Sequence, residues 1–357
     1  MSQPVTHEAL LGAAVHGTRS LAGRLDNTAI YVTGASGFLA ASLVVFLHEL
    51  NLEAGLNLRL YASARRRIDQ VPLFDFLKLH PDVAWEVAPV ETARIPDAER
   101  LIVIHAASYG SPLDYLRHPI ETFEANTTSL VRLVRHCNPD RVTQFVYLSS
   151  AEIYGQAPDT AIPTPEGFVG GVATLAARSI YAESKRMGEV LGVSLAHDLG
   201  IPFTVLRPWN VYGPGQRLED GRVPIEFVRN ALQEGVIRLT SNGTPRRAFC
   251  YVWDSIRQIV STLGRTTSVE AFNIGHGGEE VSILDLARHC AAACGLSAKA
   301  VQCDPTARSV GLHRCAPDTR AVQALAAEPW AFTRLTVGLR SLRDWAEFMQ
   351  STECPIC

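Results

Sequence analysis

The sequence predicts an α/β protein: a doubly wound parallel sheet with helices on both faces, joined by a smaller mixed α/β lobe. Three observations predict it. Short apolar runs alternate with segments of helical period through the first half of the chain, and a glycine-bearing turn joins the first run to the first helical segment. Beyond Gly213 the pattern changes to recurring Pro and Gly among short elements.

Leu10, Leu11, Val15, Leu21 and Leu25 recur at roughly helical spacing, so residues 1–27 read as an N-terminal helical extension. Ala29–Val32 is the first strand, and Phe38–Leu50 has the period of a helix. Leu58–Ala62 is the second strand, Ala84–Val90 the third and Leu101–His105 a fully apolar fourth. A single helix over Thr122–His136 precedes the fifth, Gln144–Ser149. A helix over Tyr181–Leu199 leads into the sixth, Phe203–Arg207. Ala248–Val252 and Ala271–Ile274 look like strands free to return to either lobe, which makes the lobe boundary discontinuous.

The chain has 357 residues, 47% of them hydrophobic and 19% charged, enough to bury a large core. A formal net charge of −3 gives no support to a nucleic-acid-binding surface. Apolar stretches such as Ala40–Leu47 are too short to span a bilayer, and the N-terminus lacks the layout of a secretory leader. A cytoplasmic protein with no membrane partner is expected. The eight cysteines are spread along the chain and read as reduced thiols. Cys290 and Cys294, one helical turn apart, read as core packing, and the Cys354/Cys357 pair as a frayed tail. His105 has no second ligand at metal spacing, so it reads as a structural histidine and no metal is expected.

Thr33 to Ala40 places glycines where a strand hands over to a helix. Gly34 permits the tight turn, and Gly37, with Ser36, Phe38 and Leu39 around it, lets backbone N–H groups approach a pyrophosphate. Ala40 is small enough for close helix–sheet packing. A dinucleotide cofactor follows. At the end of the second strand stands Ala62-Ser63-Ala64-Arg65, with no carboxylate for the ribose hydroxyls. Ser63 and Arg65 could instead meet a 2′-phosphate, so NAD and NADP both stay open. Residues 28–212 are then the dinucleotide-binding domain, 213–347 mainly a substrate lobe, and 348–357 a tail.

Tyr181 and Lys185 lie four residues apart, on one helical face. A phenol is a poor base at neutral pH, and a neighbouring ammonium favours its phenolate. Ser150 and Glu152, just past the fifth strand, bring a hydroxyl and a carboxylate to the same sheet edge. Such a set can remove the proton of a sugar hydroxyl while its carbon is oxidised.

These motifs, together with His105–Ser108, Arg207–Gly215 and Arg247–Val252, occur in the order of the NAD-dependent epimerase/dehydratase family. Residues 28–347 resemble these extended short-chain dehydrogenases/reductases of Rossmann-like fold. Within the family, Ala107–Tyr115, Asp220–Val223 and Arg178 are most similar to the UDP-glucuronate decarboxylase (UDP-xylose synthase) branch. The resemblance implies an NAD cofactor, also touched by Ala106, Ala107, Tyr181 and Lys185. It implies a nucleotide-sugar substrate, UDP-linked, with Ser108, Tyr115, Arg178, Asn210, Arg217 and Arg222 around it. It gives Glu152 and Arg247 the proton chemistry at the sugar C5, and it implies a homodimer through the helices carrying Tyr181 and Asn126.

The expected reaction is redox-neutral and passes through a 4-keto sugar. Decarboxylation of a uronic acid stands first and 4-epimerisation second. A 4,6-dehydratase is third, because Ala151 stands where that chemistry needs an acidic Asp. A catalytically silent dinucleotide-sensing module is the non-enzymatic alternative, and intact Ser150, Tyr181 and Lys185 argue against it.

Overall fold

The computed structural model describes residues 6–308, 312–326 and 329–352. The helices of the first half are α1 (His7–His16), α2 (Phe38–Ala54), α3 (Pro72–Leu77), α4 (Pro112–Arg117), α5 (Pro119–Asn126), α6 (Thr128–His136) and α7 (Ser179–Leu199). Its strands are β1 (Ala29–Thr33), β2 (Arg59–Ala64), β3 (Ala84–Val87), β4 (Leu101–His105), β5 (Val142–Leu148) and β6 (Phe203–Pro208). The second half runs β7 (Val211–Tyr212), α8 (Val223–Glu234), β8 (Ile237–Arg238), β9 (Arg246–Ala248), β10 (Cys250–Tyr251) and α9 (Val252–Ser261). It continues with β11 (Val269–Ile274), β12 (Glu280–Ser282), α10 (Ile283–Ala293), β13 (Val301–Gln302), β14 (Arg314–Cys315), α11 (Arg320–Gln323) and α12 (Leu335–Ser351).

Seven parallel strands form one sheet in the order β11-β6-β5-β4-β1-β2-β3. Every residue of β1 and β4 is buried, as runs without a polar face must be when helices cover both sides of a sheet. Ile30 and Val32 join one core with α2 and α9, while Tyr31 and Val103 join the other with α6 and α7. The strand order reverses between β4 and β1. Their carboxyl ends therefore flank a crevice, the usual ligand position in such sheets.

α2 carries nine buried residues because it is covered twice, by the sheet on one side and by α1 and α9 on the other. That contact gives the N-terminal extension its place: Leu11, Val15 and Leu25 are buried in the α2 core. β11 joins the large sheet beside β6. The smaller lobe holds β12-β9-β14, the β13–β8 pair, α8 and α10. Among the described residues no helix is long and apolar enough to cross a membrane.

Several boundaries differ from the sequence expectation. β2 extends to Ala64, and β3 stops at Val87. The stretch 248–252 is no single strand: β9 and β10 are separate, and Val252 opens α9. α12 runs on to Ser351, past the expected tail boundary, while Cys354 and Cys357 lie outside the described residues. The helix expected over 122–136 is two helices, broken at Thr127 (φ −122°, ψ −70°). The break leaves the Ala125 carbonyl to accept from His105 Nε2 at 2.9 Å and the Asn126 carbonyl to accept from the Tyr147 hydroxyl at 3.2 Å.

Candidate functional site

The carboxyl ends of β1, β4, β5 and β6 open into one cavity of about 1790 Å3. At its first wall, Gly34 takes φ +68°, and a Cβ there would lie 2.6 Å from the Ala107 Cα. Both the backbone angle and the contact require glycine. Gly37 caps α2 without a side-chain bond, so the N–H groups of the first turn of a 17-residue helix face the cavity. Ser36, Phe38, Leu39, Ala106, Ala107 and Arg65 continue this wall. The Ser108 hydroxyl, also in the wall, is buried without a hydrogen-bond partner. A glycine cradle, an uncapped helix start and an unsatisfied buried hydroxyl are what a pyrophosphate-containing dinucleotide would complete.

Ser63 does not belong to this wall. Its hydroxyl accepts from the Tyr31 hydroxyl at 2.9 Å on the other face of the sheet, and Ala64 reaches the cavity instead. With β2 ending two residues later than its apolar run suggests, the strand's alternation turns Ser63 toward the core. The absence of a carboxylate at the β2 end stands: Ala64, Arg65 and Arg66 occupy it.

On the opposite wall, Tyr181 and Lys185 project from α7. Gly188 and Gly192 let that helix approach the sheet, since a Cβ at either would strike the Tyr147 hydroxyl or the Phe203 ring. The Tyr181 hydroxyl is bonded by Ser150, whose own oxygen accepts from the Glu152 N–H at 3.2 Å. Desolvation in the wall pushes the Tyr181 phenol up to about 12, although Ser150 and Arg222 pull the other way. Lys185 is buried, donates to the Leu148 carbonyl at 2.6 Å, and lies 5.9 Å from the Tyr181 ring centroid. Burial lowers its ammonium to about 7, and Glu189 opposes that. The two values move apart, and burial favours the uncharged form of each group in the cleft as it stands.

Glu189 is a residue that sequence reasoning missed. One turn beyond Lys185, it accepts from Ser149 at 2.5 Å and from Arg207 at 3.0 and 2.7 Å. Arg207 in turn donates to the Tyr154 hydroxyl at 2.7 Å. This network ties the end of β5 to α7 and β6 and so fixes Ser150 against Tyr181. The four-residue step from Lys185 is the one cue the sequence offered. Asn126 Nδ2 donates to Ser184 Oγ at 2.9 Å and holds α7 from the other side.

Further arginines border the rest of the cavity. Arg178 pairs with Glu152 at 3.3 Å, and Tyr115 stacks on Tyr181 with centroids 5.0 Å apart. Arg217 pairs with Asp114, and Arg222 lies 3.2 Å from Asp220. Arg247 donates to the Leu312 carbonyl at 2.5 Å, and burial lowers its pKa while Cys315 and Glu152 act to raise it. Asn210, in the left-handed region at φ +27°, donates to the Ala248 carbonyl at 3.1 Å. Ser63 apart, the structure brings every sequence-predicted site residue to this one cavity. His105 is structural: Thr33 Oγ1 meets its Nδ1 at 2.9 Å, and burial drops its imidazolium to about 3.

Residues 30–275 match the model of the NAD-dependent epimerase/dehydratase family. The chain belongs to that family. UDP-glucuronic acid decarboxylase 5 of Arabidopsis thaliana is 32% identical over 265 residues, 71% of each chain. UDP-glucuronic acid decarboxylase 1 of Xenopus tropicalis is 28% identical, over 74% of this chain and 59% of that one. A UDP-glucuronic acid 4-epimerase from Bacillus cereus, solved with UDP-glucuronic acid and NAD, superposes with TM-score 0.72 at 21% identity, over 90% of this chain and 99% of that one. A Thermotoga maritima UDP-glucose 4-epimerase does so with TM-score 0.71 at 21%, over 91% and 99%. These two share the fold. As a member of this family, the chain is an NAD-dependent enzyme.

Proposed function

We propose that this protein decarboxylates a UDP-linked uronic acid through a transient 4-keto sugar. The observation that carries the reading is that the Ser150–Tyr181 pair and the Glu152/Arg247 pair line one cavity together. Bound NAD supplies reversible two-electron oxidation at the sugar C4. Tyr181 takes the proton of the C4 hydroxyl, Ser150 holds that oxygen, and Lys185 favours the phenolate. With C4 a ketone, the C5 carboxylate is β to it, so the C5–C6 electrons pass into the ketone as carbon dioxide leaves. Arg247 holds the carboxylate and then the enolate. Glu152 serves the reprotonation at C5, and reduction of C4 closes the cycle without net redox change. Arg217 and Arg222 serve the diphosphate.

The similarity to the two decarboxylases supports this choice. A 4-epimerase is the second reading, because that chemistry needs only Ser150, Tyr181 and Lys185, which line the same cavity. A 4,6-dehydratase is disfavoured because Ala151 borders the cavity where an acid would have to protonate the leaving hydroxyl. We further propose a homodimer, since α5 and α7 pack together and leave Ile120, Phe123, Met187 and Val190 exposed. Six described free cysteines support a reducing, cytoplasmic setting. Incubating the protein with UDP-glucuronate and with UDP-glucose tests the reaction. Carbon dioxide and a UDP-pentose from the first are expected; an inverted C4 or a 4-keto-6-deoxy sugar would replace this reading.

A further inference from the structure

β2 and β4 are not neighbours, because β1 lies between them. At ordinary strand spacing their carboxyl ends stand roughly 9.6 Å apart, with the Gly34–Gly37 turn in the gap. Yet Arg65, the first residue after β2, meets Tyr109, four residues after β4. The guanidinium donates to the phenol oxygen at 2.5 Å and lies 4.8 Å from the ring centroid. The contact therefore bridges the loops that follow β2 and β4, and both residues line the cavity together with Gly34, Gly37 and Phe38. The partner is a hydroxyl and not a carboxylate, so the bond forms no ion pair.

The segment carrying Tyr109 is braced at several points. Its ring stacks on His118 with centroids 5.1 Å apart. The next carbonyl, Gly110, accepts from Arg222 at 2.7 Å, and Asp114 pairs with Arg217. The segment thus runs from the nucleotide side of the cavity to the substrate lobe.

We propose that Arg65 and Tyr109 form a latch that closes over the pyrophosphate of the bound dinucleotide and slows its release. The inference rests on the reading that the cavity holds NAD for redox-neutral chemistry. Such a cycle consumes no cofactor, so a cofactor that stays through many turnovers costs the enzyme nothing. Tyr109 acts here as a positioning residue: it holds Arg65 across the gap, and the arginine faces the anion.

The full-length protein, loaded with NADH and chased with excess NAD, reports release as loss of nicotinamide fluorescence. Arg65→Ala and Tyr109→Ala are each expected to speed release by about tenfold, with Tyr109→Phe between them and the unmodified protein. The double variant is expected to be no faster than Arg65→Ala alone, because Tyr109 acts through Arg65. Unchanged release in the single variants, or additive effects in the double, would overturn the latch. Failure of the unmodified protein to bind NADH would instead overturn the reading of the cavity beneath it.

Discussion

Two residues carry predictions of opposite kinds. On the proposed reading Tyr181 moves a proton, so Tyr181→Phe should lower kcat by about 10^2- to 10^4-fold while NAD still binds, as stopped assays and a binding titration would show. His105 is placed to hold structure, with Thr33 on one ring nitrogen and the Ala125 carbonyl on the other. Below pH 6.5 the unfolded chain takes up a proton there that the folded chain refuses until about pH 3. Acid therefore favours unfolding across that window, by about 1.4 kcal/mol per pH unit from this group. Urea titrations at pH 6 and pH 5 should show His105→Gln lacking that share of the slope; parallel slopes would mean the imidazole is not held neutral. At this scale most of the site was legible, because a glycine turn or a Tyr/Lys pair carries its chemistry in its spacing. Ser63 was not, since its direction depends on how far β2 extends. Nor was the Glu189–Arg207 pair, whose members lie eighteen residues apart and meet because α7 packs on β6.

Among the elements, the parallel strands were readable for one physical reason: strands buried on both faces must be continuous apolar runs. The break between α5 and α6 was not readable. Glu124-Ala125-Asn126-Thr127 holds neither Pro nor Gly, and the freed carbonyls are taken up by His105 and Tyr147, distant in sequence. Two-residue strands such as β7 and β10 likewise exist through their partner rather than their own pattern. α5 and α7 also present the exposed apolar face, with Ile120 63% and Val190 58% exposed. If two copies meet there, Phe123→Asp combined with Val190→Asp buries uncompensated charge and should raise the dimer dissociation constant by about a hundredfold or more. Sedimentation of the two proteins decides it; equal behaviour would remove this face as the interface.

The whole molecule brings residues of both lobes to one crevice. The glycine cradle and α2 belong to the large sheet, Arg247 to the small β12-β9-β14 sheet, and Arg217 and Arg222 to the connection before α8. The lobes are not sequential blocks, because β11 re-enters the large sheet after the small lobe has begun. This arrangement gives the proposed chemistry at C4 and at C5 one shared cavity. The most direct measurement is NMR of the product formed from UDP-glucuronate in D2O. A UDP-pentose with one deuterium at C5 and hydrogen retained at C4 is the result predicted, since the hydrogen removed from C4 is returned to it and C5 is reprotonated from solvent. Deuterium at C4, or a product still carrying its carboxylate, would contradict it.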